Sequence, residues 1–90
     1  AALIGNYPNP FNAGTAIRFQ LAHAGPAVLK VYDIQGRLVR RLWQGPLGGG
    51  GHQLGWAGRD DAGRAVATGV YLSQLETLEK IQTRKMLLLR

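Results

Sequence analysis

The chain has 90 residues, a formal net charge of +6 and no cysteine. Its length holds one small domain, and disulfides, thiolate metal sites and thiol catalysis are excluded. Hydrophobic residues make up 46% of it and glycine occupies 13 positions, which argues for a turn-rich globular fold rather than disorder.

In chain order, the first predicted element is an extended, proline-rich opening segment over residues 1–14, holding Tyr7-Pro8-Asn9-Pro10-Phe11-Asn12. The prolines fix φ and push Tyr7 and Asn9 into extended backbone, so Tyr7 and Phe11 are candidate apolar anchors. Thr15–Leu21 alternates, with Ile17, Phe19 and Leu21 on one face, and predicts a half-buried strand. His23-Ala24-Gly25-Pro26 then predicts a turn by its Gly-Pro pair. Ala27–Asp33 places Leu29 and Val31 on one face and Val28, Lys30 and Tyr32 on the other. Asp33-Ile34-Gln35-Gly36 supplies hairpin chemistry.

Arg37–Trp43 fits either a strand or a helical stripe through Leu38, Val39, Leu42 and Trp43. Its bracketing by Gly36 and Gly45-Pro46 favours a strand. Leu47–Gly51 predicts a flexible hairpin loop. His52–Trp56 alternates again, and Gly58–Gly63 reads as a second turn holding Asp60 and Asp61. Val66 opens a short extended piece broken at Gly69, and Val70–Glu76 and Ile81–Arg90 are the last two predicted strands. About seven short strands with no helix and no internal repeat predict an all-β antiparallel sandwich. No apolar run approaches the ~20 residues of a membrane helix. No signal-peptide pattern opens the chain, so the expectation is a protein retained where it is made or a segment of a longer precursor.

Chemistry-bearing residues are sparse. Ser73 lies mid-strand with no histidine near it in sequence, and His23 and His52 fall in a predicted turn and at a strand start, so no catalytic constellation emerges. Asp33, Asp60 and Asp61 lack the alternating spacing that wraps a cation, and turn stabilisation is their expected role. Gly48–Gly51 is not followed by Lys-Ser/Thr, so it is no phosphate loop, and no cofactor is implied. Tyr7, Phe11, Trp43 and Trp56 are scattered, which suits core packing better than a stacking platform. Arg37, Arg40 and Arg41 form one basic group and Arg84, Lys85 and Arg90 another; as spatial neighbours they would make a cationic stripe. No nucleic-acid motif accompanies them, so nucleic acid or an anionic polysaccharide as ligand rests on charge alone.

The last strand is apolar in both phases: Ile81, Leu87 and Leu89 in one, Met86 and Leu88 in the other. It reads either as a strand covered on both sides within the sandwich or as a recognition element that docks on a partner. On the second reading Met86, Leu87, Leu88 and Leu89 supply the contact while Arg84, Lys85 and Arg90 position it.

A set of short motifs runs through the chain in order. These are Asn6-Tyr7-Pro8-Asn9-Pro10-Phe11-Asn12, Val31-Tyr32-Asp33-Ile34-Gln35-Gly36-Arg37, Gly51-His52, Trp56, Gly58-Arg59-Asp60, Gly63, Gly69-Val70-Tyr71 and Thr83-Arg84-Lys85-Met86. Together they resemble the Ig-like domain of the flagellar hook-capping protein FlgD and the related bacterial type IX secretion C-terminal sorting domains. The resemblance implies an Ig-like sandwich of about seven strands at the end of a large secreted protein. Its structural motif positions here are Tyr7, Pro8, Pro10, Phe11, Tyr32, Asp33, Gly36, Trp56, Asp60, Gly63, Gly69 and Tyr71. Ala57 departs from the aspartate usual after the tryptophan, and Ala13 from a frequent proline.

The function the resemblance implies is non-catalytic: a secretion, sorting and cell-surface attachment module, exported through the periplasm. Its partners would be the outer-membrane secretion machinery and an upstream cargo domain. Deleting Met86–Arg90 is then expected to leave the fold largely intact and abolish export. The alternatives are an interaction domain packed against neighbouring subunits of an extracellular assembly, and an accessory module for an anionic polysaccharide or nucleic acid.

Overall fold

The computed structural model describes residues 2–90; Ala1, the first residue of the predicted opening segment, lies outside them. The opening segment is itself a strand, β1 (Ala2–Tyr7), followed by β2 (Thr15–Leu21), β3 (Gly25–Asp33), β4 (Leu38–Leu47), β5 (Gly50–Trp56), β6 (Gly69–Thr77) and β7 (Ile81–Leu88). They form two antiparallel sheets, one ordered β1-β2-β5 and the other β4-β3-β6-β7. The all-β antiparallel sandwich expected from the alternation is therefore the observed architecture.

The period-2 pattern decides which side chains fill the space between the sheets. Ile17, Phe19 and Leu21 of β2 face Leu29 and Val31 of β3, with Tyr71, Ser73 and Leu75 from β6 and Met86 and Leu88 from β7. Leu3, Phe11, Ala27 and Trp56 complete the core. Each large apolar side chain removed from water in this way contributes roughly 1.5–3 kcal/mol, which is how so small a chain holds together.

Four local expectations need correction. Of the predicted His23–Pro26 turn, His23 and Ala24 do lie between strands, but Gly25-Pro26 starts β3, where Pro26 lies opposite Pro46 at the end of the β3–β4 ladder. At the end of a ladder a missing N–H costs least. β4 likewise runs through Gly45-Pro46 instead of stopping at them. The Leu47–Gly51 segment is not a hairpin loop: only Gly48-Gly49 lies outside strands, and the chain there passes from one sheet to the other. Tyr7 is no core anchor, being 77% exposed, whereas Phe11 is buried.

The helical look of β4 has a physical cause. Its pairing with β3 slips twice, between Leu29 and Lys30 and between Val31 and Tyr32. Each bulge resets the side-chain phase, so Val39, Leu42 and Trp43 all pack against the core from a strand.

Candidate interaction surface at the sheet edges

β7 is an edge strand of the four-stranded sheet, and its free side is covered by the chain's own first dozen residues. Phe11 N–H donates to Leu87 O (3.0 Å), Leu89 N–H donates to Phe11 O (2.8 Å), and Leu87 N–H donates to Asn9 Oδ1 (3.0 Å). Further along, two β7 side chains cross to the other sheet. Gln82 Oε1 accepts from Leu3 N–H (2.7 Å) and Arg84 Nε donates to Leu3 O (2.7 Å).

Met86 and Leu88 are fully buried core residues. The expectation that residues 86–90 can be removed with the fold intact is therefore overturned, because two of the core's largest side chains would go with them. Arg90 is equally committed. Its backbone N–H donates to Thr68 Oγ1 (2.8 Å), and its guanidinium bonds Val66 O (2.6 Å) and Gly58 O. Gly58 has φ +69, and a Cβ built there would come within 2.7 Å of that guanidinium, so close approach and backbone conformation both require glycine. Of the seven predicted recognition residues, only Lys85, Leu87 and Leu89 face outward. On the outer sheet surface Lys85 pairs with Leu72 and Leu87 with Val70.

The two basic groups do not form a stripe. β4 and β7 are opposite edges of one sheet, about 14 Å apart across three strand spacings. Arg37 pairs with Asp33 (2.9 Å), Arg40 lies 3.8 Å from Asp61, and Arg84 and Arg90 spend their donors on backbone carbonyls.

The turn acids do local structural work. Asp33 accepts from the N–H groups of Gln35 and Arg37 (2.9 Å each) and from Arg37 Nε. Asp60 repeats this on Ala62 (3.0 Å), Arg64 (2.9 Å) and Arg64 Nε. Gly36 and Gly63 both take φ +83, a left-handed conformation that makes glycine the natural residue at the same turn position. Asp33-Ile34-Gln35-Gly36-Arg37 and Asp60-Asp61-Ala62-Gly63-Arg64 are thus one Asp-x-x-Gly-Arg turn used twice. Set side by side, the two stretches show this short repeat in the sequence itself, against the expectation of no internal repeat. The bonded backbone N–H of Arg37, followed by the opposing cost of desolvation, holds Asp33 below the ordinary 3.8, and that of Arg64 does the same for Asp60.

Asp61 serves differently: its Oδ1 accepts from Arg41 N–H (3.0 Å) while its own N–H donates to Val39 O (3.0 Å). The 57–66 loop is thereby pinned to the outer edge of β4. Among the described residues no cluster of three or more potential metal ligands exists. Ser73, the lone candidate nucleophile, is buried and its hydroxyl donates to Arg84 O (3.4 Å).

The aromatic positions converge. Trp56 packs edge-on against Phe11 (5.7 Å between centroids) and Tyr71 (5.2 Å). Its indole N–H donates to Arg59 O (2.9 Å) and Tyr71 Oη donates to Ala67 O (2.6 Å), so each buried ring keeps its polar atom bonded. Burial, with the Asp33 charge secondary, pushes the Tyr71 hydroxyl above 10.0. Pro8 O accepts from Thr15 Oγ1 (2.8 Å), Pro10 is exposed, Tyr32 is half-buried on the outer sheet face, and Gly69 opens β6.

Two face-to-face antiparallel sheets, tied at one side and centred on a buried tryptophan, define an Ig-like sandwich whose chemistry is that of surfaces and edges. The chain belongs to the FlgD Ig-like domain family, which matches residues 5–80, so β7 lies beyond the matched region. No curated protein matches it significantly.

Three solved structures resemble it. PorZ of Porphyromonas gingivalis, described as an essential bacterial surface component of the type IX secretion system, is 26% identical with a TM-score of 0.64, over 94% of this chain and 11% of its own. Dimeric latent PorU of the same organism is 22% identical with a TM-score of 0.73, over 98% of this chain and 9% of its own. FlgD of P. aeruginosa is 23% identical with a TM-score of 0.66, over 82% of this chain and 57% of its own. The chain thus spans only a small part of PorZ and PorU, and the last two likenesses speak to the fold alone. No helix among the described residues is long and apolar enough to cross a membrane.

Proposed function

We propose that this chain is a non-catalytic sorting and surface-attachment module of a larger exported bacterial protein. The observation that carries the reading is family membership joined to the 26% likeness to PorZ over 94% of this chain. PorZ is itself a surface component of the type IX secretion system, and the matched part is a tenth of its length. An outer-membrane export machine is the partner that fits, with the cell surface, reached through the periplasm, as the destination.

The contact is assigned to Lys85 and Leu87 of β7 and Leu89 just past its end, beside Leu72 and Val70. These offer exposed or half-buried apolar surface and, in Lys85, a cation that forms no ion pair among the described residues, while Met86, Leu88, Arg84 and Arg90 hold the strand in place. Fusing residues 1–90 to a reporter, in a host that has the export machine, tests this. The product is expected at the cell surface, and the Lys85→Glu, Leu89→Ser variant is expected to unfold cooperatively yet stay inside. Retention of the unaltered fusion would overturn the sorting role. Export of the variant at the normal level would remove the contact from β7.

A second reading, an interaction domain within an extracellular assembly, draws on the FlgD Ig-like family match itself. Growth of particle size with concentration would favour it.

A further inference from the structure

The sandwich has four strand edges, and three of them are guarded. β1 carries a bulge between Leu3 and Gly5 and gives both backbone groups of Leu3 to β7 side chains. β7 is covered by Asn9–Phe11. β4 has two slips in its pairing with β3, a proline at Pro46, and Asp61 bonded to Val39 and Arg41. Bulges, prolines, charges and covering segments are the devices by which sheets avoid pairing with other chains.

β5 has none of these. It is the outer strand of the three-stranded sheet, paired with β2 without a slip from Gly50 to Trp56. Its sequence, Gly-Gly-His-Gln-Leu-Gly-Trp, holds no lysine, carboxylate or proline. Among the described residues, no group other than β2 hydrogen-bonds its backbone. Alternate N–H and C=O groups therefore point outward along a straight, uncharged edge, which is the template for strand addition.

Beside this edge lies the unclosed side of the sandwich, a cleft between β5 and β4 floored by Leu42 and Trp56 and flanked by Arg40 and Arg59. Leu54 of β5 is half-buried against the core. The charge around the cleft is unbalanced. Asp60 is held by Arg64 and Asp61 lies 3.8 Å from Arg40, while Arg59 donates to Gly63 O and, among the described residues, makes no ion pair.

We propose that the free edge of β5 receives an extended segment of a partner protein, acidic and apolar in alternation, as a fourth strand of that sheet. Its apolar side chains would cover Leu42 and Leu54, and its carboxylates would meet Arg40 and Arg59. A second copy of this chain is the poorer occupant, since it brings the same arginines and the same net charge of +6 to the contact. The proposal rests on the interaction-module reading but not on the export route, so failed export of a reporter leaves it standing.

Titrating the isotope-labelled chain with a blocked octapeptide that alternates glutamate and valine tests it. Resonance shifts are expected across Gly50–Trp56 and the Arg59–Arg64 loop, with amide exchange slowed at least ten-fold at alternate β5 residues. A peptide alternating lysine and valine is expected to bind at least ten-fold more weakly, and the exposed Arg59→Glu variant to lose a similar factor for the glutamate peptide. Equal binding of the two peptides, shifts confined to β7 or the outer sheet faces, or no shift would overturn the proposal. The same β5 shifts on concentrating the chain alone would assign the edge to a second copy and overturn it too.

Discussion

On the β1/β7 side, Gln82, Arg84 and the Asn9–Phe11 segment bond one sheet to the other through side chains and backbone. On the β4/β5 side the chain only crosses over, at Gly48-Gly49 and through the 57–66 loop, and the β5 edge stays unpaired. The same fold thus finishes one flank as core and leaves the other as surface. Stability is concentrated on the closed flank, and the open flank keeps its backbone groups available. The terminal strand, the more apolar of the two candidate docking elements by sequence, turns out to spend its edge and its inward side chains within the molecule, leaving only its outer face.

The largest test of this contrast removes one leucine from each flank. Leu88 is fully buried on the closed side, and Leu88→Ala is expected to cost about 2–5 kcal/mol. Leu54, half-buried on the open side, is expected to cost roughly 1 kcal/mol as Leu54→Ala, since less of it is removed from water. Urea denaturation of the two variants measures the difference. Equal losses would mean that the β4/β5 flank is packed as tightly as the other.

A smaller effect isolates the edge itself. Asn9 Oδ1 accepts the outward N–H of Leu87, so Asn9→Ala is expected to lose about 1 kcal/mol. Among the described residues Gln53 makes no comparable side-chain bond on the open edge, and Gln53→Ala is expected to change stability by less than about 0.5 kcal/mol. An Asn9→Ala variant as stable as the parent would show that β7 does not depend on its cover.

How far the sequence was legible follows from the range of the interactions. The inward phases of β2, β3 and β6 were readable because alternation is local: Phe19, Leu29 and Leu75 sit where the pattern puts them. β4 was ambiguous because two bulges, set by its pairing with β3, mix strand phases into a helix-like spacing. The closure was invisible for another reason. Arg84 bonds a carbonyl 81 positions away, and nothing around Arg84 distinguishes such an arginine from one facing solvent. Met86 and Leu88 could be phased but not assigned to inside or outside until β1 and Phe11 were placed. The bare β5 edge was readable as an uncharged stretch, yet its meaning depends on its being the last strand of a sheet.

The subtlest test uses acid to separate the two Asp-x-x-Gly-Arg turns. Asp33 closes the β3–β4 hairpin, whereas Asp60 shapes the loop that Asp61 pins across the open flank. Both carboxyls are held below 3.8, chiefly by bonded backbone N–H groups, so the folded state favours their charged forms. Their contribution is therefore complete above that value, unchanged around neutrality, and drains as the pH falls through the lowered folded values. Asp33→Asn and Asp60→Asn are each expected to lower the melting temperature at neutral pH. Each difference from the parent should shrink as the pH falls through those lowered values and the parent's carboxyls also lose their charge. The two turns should differ in where they loosen. Amide exchange at Arg41, whose N–H bonds Asp61, is expected to quicken in Asp60→Asn and not in Asp33→Asn. If both variants quicken it equally, the 57–66 loop and the hairpin open as one unit, and the open flank loses its claim to independent behaviour.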